Sequence, residues 1–153
     1  IKINSLIDYE VIEHLYRAAE KHVKIELIVR GICGLTPYSL SPEAAANIRI
    51  VSILDRFLEH ARIYYFANNG SPEYYLGSAD LMPRNLDRRI EVLAPITDPQ
   101  LRATLLRILE CHLRDNVQSW RLRDDAIYER LAPAKDGESV NAQALMMAGT
   151  PGA

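Results

Sequence analysis

His60 and Arg62 lie two residues apart in the run Arg56-Phe57-Leu58-Glu59-His60-Ala61-Arg62-Ile63-Tyr64-Tyr65-Phe66, at the mouth of a predicted strand. A second run, Tyr75-Leu76-Gly77-Ser78-Ala79-Asp80-Leu81-Met82-Pro83-Arg84-Asn85-Leu86-Asp87-Arg88-Arg89, ends a strand in small residues and then turns through three arginines. Arg30 closes the apolar stretch Leu27-Ile28-Val29, just before Gly31. An imidazole, small residues that allow close approach and guanidinium forks are the parts a phosphoryl-transfer site needs. The moving group spreads negative charge over its oxygens and has to be positioned and neutralised.

Each of these residues also has a plainer reading. His60 could cap a strand or sit partly buried, and spacing alone does not choose between the two roles. Arg30 lies just beyond the carboxyl end of a strand, where ligands bind in open α/β sheets, yet a solvated strand end looks the same. Arg84, Arg88 and Arg89 could form a solvated turn that pairs with Asp80 and Asp87. The other histidines, His14, His22 and His112, fall on helices and read as surface or core-edge residues.

The elements that must position these groups are legible from periodicity and caps. Ile1-Lys2-Ile3-Asn4 alternates like the end of a strand already under way, so the chain is read as a fragment of a longer protein. Asp8 caps a predicted helix over 9–22, with Val11, Ile12, Leu15, Ala19 and His22 along one face. A strand over 24–29 follows, so a parallel βαβ pair is expected. Gly31, Gly34, Pro37 and Pro42 mark a loop, and a strand over 48–53 and a helical turn near 54–59 come next. Strands at 61–67 and 73–79 pair through the turn Asn68-Asn69-Gly70; Asn69-Gly70-Ser71, formally a glycosylation sequon, reads as part of that turn. Alternation predicts a strand over 88–94, with Ile90 and Val92 facing the core, Arg88 in the same register, and Arg89 and Glu91 opposite. Asp98-Pro99 opens the longest helix, striped by Leu101, Leu105, Ile108, Leu109, Leu113 and Val117. Two short strands, near 120–123 and 126–130, precede an Ala-, Gly- and Pro-rich tail over 133–153, read as loose or as docking on a missing part.

Composition bounds the function. At 153 residues, 48% hydrophobic and 25% charged, the chain makes one core-bearing domain. A net charge of −2 argues against bulk binding to nucleic acid or anionic membrane. Cys33 and Cys111 lack metal-ligand spacing and fit a reduced, cytosolic compartment. No apolar run approaches the ~20 residues needed to span a bilayer.

Several of these runs together resemble the C-terminal catalytic domain of bacterial polyphosphate kinase, of the histidine-dependent type. They are Lys2-Ile3-Asn4-Ser5-Leu6-Ile7-Asp8, Val29-Arg30-Gly31-Ile32-Cys33, Arg56 to Tyr64, Ser78-Ala79-Asp80 through Met82-Pro83-Arg84-Asn85-Leu86-Asp87-Arg88-Arg89, and Asp115-Asn116-Val117 through Trp120. The likeness runs in order over about 1–130, and many motifs at compatible spacing are far more specific than one. It implies an α/β fold, a phospholipase D-like mixed sheet flanked by helices. It makes residues 1–132 an N-terminally truncated catalytic domain, with 133–153 as its tail. In the wider superfamily a His is followed two residues on by Lys, and later by a Gly-Ser step and an Asn. His60-Ala61-Arg62 and Gly77-Ser78-Ala79-Asp80 carry Arg and Asp at those places, as the kinases do. The loop from Cys33 to Ile48 is longer and richer in Ala than the family's, and Leu81 replaces its usual Trp.

By that resemblance the parent protein reversibly transfers the terminal phosphate of ATP to polyphosphate through a phosphohistidine upstream of this segment. His60 is then the second, catalytic histidine. Arg30, His60 and Arg89 contact ATP or phosphate, and Arg62, Asp80 and Asn85 support them. No metal ligand is assigned here; Mg2+ is expected as a cofactor with ligands outside the segment. ATP or ADP, polyphosphate, the enzyme's remaining domains and a second copy of the chain are the expected partners, with no nucleic acid and no transmembrane segment. The segment alone is expected to be inactive. A phosphodiesterase of the wider superfamily, and a module that only binds nucleotide or polyphosphate, are the rival readings.

Overall fold

The computed structural model describes residues 1–149. Eight strands form one mixed sheet in the order β6-β5-β4-β1-β2-β3-β7-β8. β1 (Lys2–Ile3), β2 (Ile25–Val29) and β3 (Ile48–Ile53) run parallel at its centre. β4 (Arg62–Phe66), β5 (Glu73–Gly77) and β6 (Leu93–Pro95) extend one side antiparallel; β7 (Ser119–Leu122) and β8 (Tyr128–Arg130) extend the other.

Strand alternation divides the core between two faces. Ile25, Leu27, Val29, Ile48 and Ile50 pack on one side, with Val11, Ile12 and Leu15 of α1 (Tyr9–Glu20). Ile28, Val51, Ile53, Ile63 and Tyr74 pack on the other, with Leu105 and Leu109 of α4 (Pro99–Arg114). Both helices start as expected. The Asp8 side chain accepts from Val11 N–H at 3.0 Å, and Asp98 accepts from Gln100 and Leu101 N–H at 2.9 Å. α1 stops at Glu20, so the predicted His22 position lies past its end, at φ +61°. Of the α4 stripe, Leu101 is exposed.

Three expectations are corrected. Residues 54–59 form no helical turn; they run irregularly, held by contacts from distant residues. The predicted strand over 88–94 is instead the end of a helix and a short edge strand. Pro83, with its fixed φ, opens α3 (Pro83–Arg88), Arg89 caps it, and only Leu93–Pro95 pairs with β5. Ile90 and Val92 are 101% and 65% exposed, because no layer covers this edge of the sheet. The chain also forms a short helix between the loop prolines, α2 (Pro42–Ala45). Finally, the tail is not loose over its described part: α5 (Ala142–Met147) docks on the domain's own body, with Val140, Ala142 and Gln143 buried. Positions 150–153 of the predicted tail lie outside the described residues.

Candidate functional site

The strand register gathers the chemistry-bearing residues at one edge of the sheet. Asn4 and Arg30 follow the carboxyl ends of the parallel strands β1 and β2. β4 is antiparallel to β1, so its first residue, Arg62, begins at that same edge. Arg62 pairs with Gly77 and Gly77 with Leu93, which brings Ser78, Asp80 and Glu91 there too. This is the crevice beyond the carboxyl strand ends where open α/β sheets bind ligands.

A continuous chain of polar contacts links these groups. Arg30 Nε donates to Asn4 Oδ1 at 3.0 Å. The backbone N–H groups of Asn4 and Ser5 donate to Asp80 Oδ1 at 2.8 and 3.3 Å. Asp80 also receives Arg62 two-pronged, Nε to Oδ1 at 3.2 Å and Nη2 to Oδ2 at 3.0 Å. Burial pushes the Asp80 carboxyl up, but Arg62 and the two N–H donors outweigh it and hold the group below its ordinary value. Arg62 Nη1 then reaches back to the His60 carbonyl at 2.8 Å and to His60 Nδ1. A guanidinium can only donate, so this contact calls for Nδ1 as the acceptor and leaves Nε2 as the ring nitrogen turned away from Arg62. His60 itself is exposed.

A second, smaller network adjoins the first. Glu91 accepts from Ser78 Oγ and, at 2.6 Å, from Asn85 Nδ2. These hydrogen bonds, with the charges of Arg89 and Arg62, hold the Glu91 carboxyl below its usual range against a smaller desolvation effect. Asn85 is therefore buried at the same rim, while Arg84, Arg88 and Arg89 are exposed on and just after α3.

Behind His60 lies a charge cluster. Glu59 Oε2 meets Lys2 Nζ at 2.9 Å and His112 Nε2 at 2.6 Å. His112 is 1% exposed, and its Nδ1 lies 2.7 Å from the Ile108 carbonyl oxygen. Both ring nitrogens of His112 thus face oxygen atoms, one of the backbone and one of Glu59. Burial alone would raise the Glu59 pKa; the hydrogen bond and charge of His112, and then Lys2, reverse that and bring it down to about 2.

Of the residues predicted from sequence, Arg30, His60, Arg62 and Asp80 belong to one contact chain. Asn85 joins it through Glu91, on which the charges of Arg62 and Arg89 both act. Arg89 is not on a strand, as predicted, but at the end of α3. Asn4 and His112 were not assigned to the site. Asn4 carried one usable signal, its place directly after a strand parallel to β2. His112, on a helix 53 residues from Glu59, carried none. Among the described residues no group of three or more His, Cys, Asp or Glu side chains gathers as a metal site. The acids at this edge, Asp80 and Glu91, are taken up by Arg62, Ser78 and Asn85. These residues therefore do not fit a magnesium site.

Residues 1–143 match the family model described as polyphosphate kinase C-terminal domain 2. The chain is 48% identical over 142 residues to a polyphosphate kinase of Rhodopirellula baltica, covering 93% of this chain and 16% of that protein. It is 48% identical over 147 residues to polyphosphate kinase 1 of Chlorobaculum tepidum, covering 96% and 20%. The crystal structure of polyphosphate kinase from Porphyromonas gingivalis superimposes with a TM-score of 0.89 at 42% identity, over 97% of this chain and 22% of that one. The chain thus spans about a fifth or less of the length of these curated relatives.

Proposed function

The chain belongs to the polyphosphate kinase C-terminal domain 2 family, and from that premise we propose that it supplies one half of the phosphoryl-transfer site of an ATP–polyphosphate phosphotransferase. The observation that carries this reading is the contact chain Arg30–Asn4–Asp80–Arg62–His60, which fixes an exposed imidazole at the ligand-binding edge. The terminal phosphate of ATP passes to a histidine upstream of this segment and then to the end of polyphosphate, and the steps reverse for ATP synthesis. Arg62 holds Nδ1 of His60 as an acceptor, so Nε2–H is aimed as a donor at a phosphoryl oxygen in transit. Arg30 and Arg89 bind oxygens of nucleotide or polyphosphate through charge-assisted hydrogen bonds. Asp80 and Asn85 do not meet the anion: Asp80 keeps Arg62 in place, and Asn85 keeps Glu91.

Three further elements belong to the same proposal: Mg2+ held by residues outside this segment, the remaining domains of the enzyme as partners, and assembly with further copies. No helix among the described residues is long and apolar enough to cross a membrane.

The test is His60→Ala in the full-length enzyme. Synthesis of polyphosphate from ATP is expected to fall on the order of 10²–10³-fold, the usual loss for one transition-state donor. The fold should survive, since His60 is exposed. A variant that keeps near-normal activity returns His60 to a strand cap. The segment alone should take no covalent label from γ-labelled ATP.

A further inference from the structure

Residues 55–59 connect β3 to His60 with neither helix nor strand, and Phe57 and Leu58 on this stretch are exposed. What holds the segment comes from the far end of the chain. Phe57 N–H donates to Gln143 Oε1 at 2.8 Å, and Gln143 Nε2 donates back to the Phe57 carbonyl at 2.8 Å. The same Nε2 donates to Glu59 Oε1 at 3.0 Å. One side-chain amide thus pairs with both backbone groups of Phe57, as a neighbouring strand would, and also grips the carboxylate next to His60. One residue before α5, Asn141 Nδ2 donates to Asp55 Oδ2 at 3.0 Å.

Gln143 is 5% exposed, so these bonds stand where water cannot easily replace them. The segment that carries it is itself tied down. Asp115, fully buried after α4, accepts from Ala142 N–H at 2.8 Å through Oδ2 and from Val117 and Gln118 N–H through Oδ1. Asn116 N–H donates to the Val140 carbonyl at 3.0 Å, and Val140 N–H to Asn116 Oδ1 at 2.8 Å. The end of α4, the last helix and the His60 approach therefore form one braced unit.

We propose that Gln143 is a positioning residue for His60, acting through Phe57 and Glu59. The inference rests on the reading of His60 given above. A donor aimed at a moving phosphoryl oxygen has to be held within about 0.5 Å, and an irregular approach segment cannot do that alone. Arg62 fixes the ring from the β4 side. Gln143, with Lys2 and His112 on the other Glu59 oxygen, fixes the residue before it.

The experiment uses the full-length enzyme carrying Gln143→Met, which keeps side-chain length and helix propensity and removes only the amide. Polyphosphate synthesis should lose kcat on the order of 10- to 100-fold, the effect of a misplaced catalytic group. KM for ATP should stay within about twofold, because Arg30 and Arg89 are untouched. Adding Gln143→Met to His60→Ala should lower the residual rate no further, since the two act through one group. An unchanged kcat, or a raised KM alone, overturns the inference while His60→Ala still loses on the order of 10²–10³-fold. An active His60→Ala enzyme overturns the functional reading instead. If Gln143→Met does not fold, Asn141→Ala removes both the bond to Asp55 and the cap on Ala144 N–H, and so loosens the turn that carries Gln143. A lower kcat at constant KM is then expected, and an unchanged kcat overturns the inference.

Discussion

Arg62 and Asp80 meet side by side, with two guanidinium nitrogens on two carboxylate oxygens at 3.2 and 3.0 Å, and their side chains are only 11% and 9% exposed. A pair so buried contributes less by its own attraction than it costs to break, since removing one partner strands the other charge. Asp80 also accepts two backbone N–H groups from the end of β1. Asp80→Ala should therefore destabilise the domain by about 3–5 kcal/mol, read as a lower urea midpoint with an unchanged slope. A loss under about 1 kcal/mol would mean that Arg62 finds another partner.

Arg89 behaves oppositely. It is exposed beyond α3, so Arg89→Lys should change stability by less than about 0.5 kcal/mol. Synthesis in the full-length enzyme should nonetheless fall by roughly tenfold or more, because an ammonium cannot reproduce a forked contact with phosphate oxygens. Equal kinetics for the lysine and arginine forms would remove Arg89 from the anion contacts.

Local pattern served well where one element buried one face. The periodicity of α1 and α4, their aspartate caps and the turn Asn68-Asn69-Gly70 were legible, and so was the placement of Arg30 and His60 at strand ends. Pattern misled at 88–92, where Ile90 and Val92 have the side chains of a buried strand but no layer above them. It was blind to α5, a six-residue helix whose buried first turn, Ala142 and Gln143, depends on Asp115 and on a segment 86 positions away. The pairing of Glu59 with His112 was likewise out of reach, because only the folded sheet brings β1, α4 and the His60 approach together.

Glu59 should show in the acid limb of stability. Its folded pKa, about 2, lies below the ordinary 4.5, so the folded state favours the carboxylate. That stability is fully present above about pH 4.5 and is lost as the pH falls towards 2. Glu59→Gln should be less stable at pH 7 and should lose less between pH 4.5 and 2.5. Parallel stability curves for the two proteins across that range would show that Glu59 is not the group responsible.

Gly31 should be the most sensitive small residue at the site. Its N–H donates to the Asn4 carbonyl at 2.7 Å, and a Cβ built on it would stand 2.8 Å from that same oxygen, closer than real Cβ contacts come. The obstructing atom is backbone, so a rotamer change cannot relieve it. Gly31→Ala must push β1 and β2 apart where Asn4 receives Arg30 and donates to Asp80. The expected cost is about 1–3 kcal/mol, the range for overpacking a tight site. In the full-length enzyme the rate should fall by more than this destabilisation explains at a temperature where the variant is folded, because Arg30 and, through Asp80 and Arg62, His60 all move with Asn4. An alanine variant as stable and as active as the parent would show that this edge of the sheet yields, and that the contact chain does not fix the site.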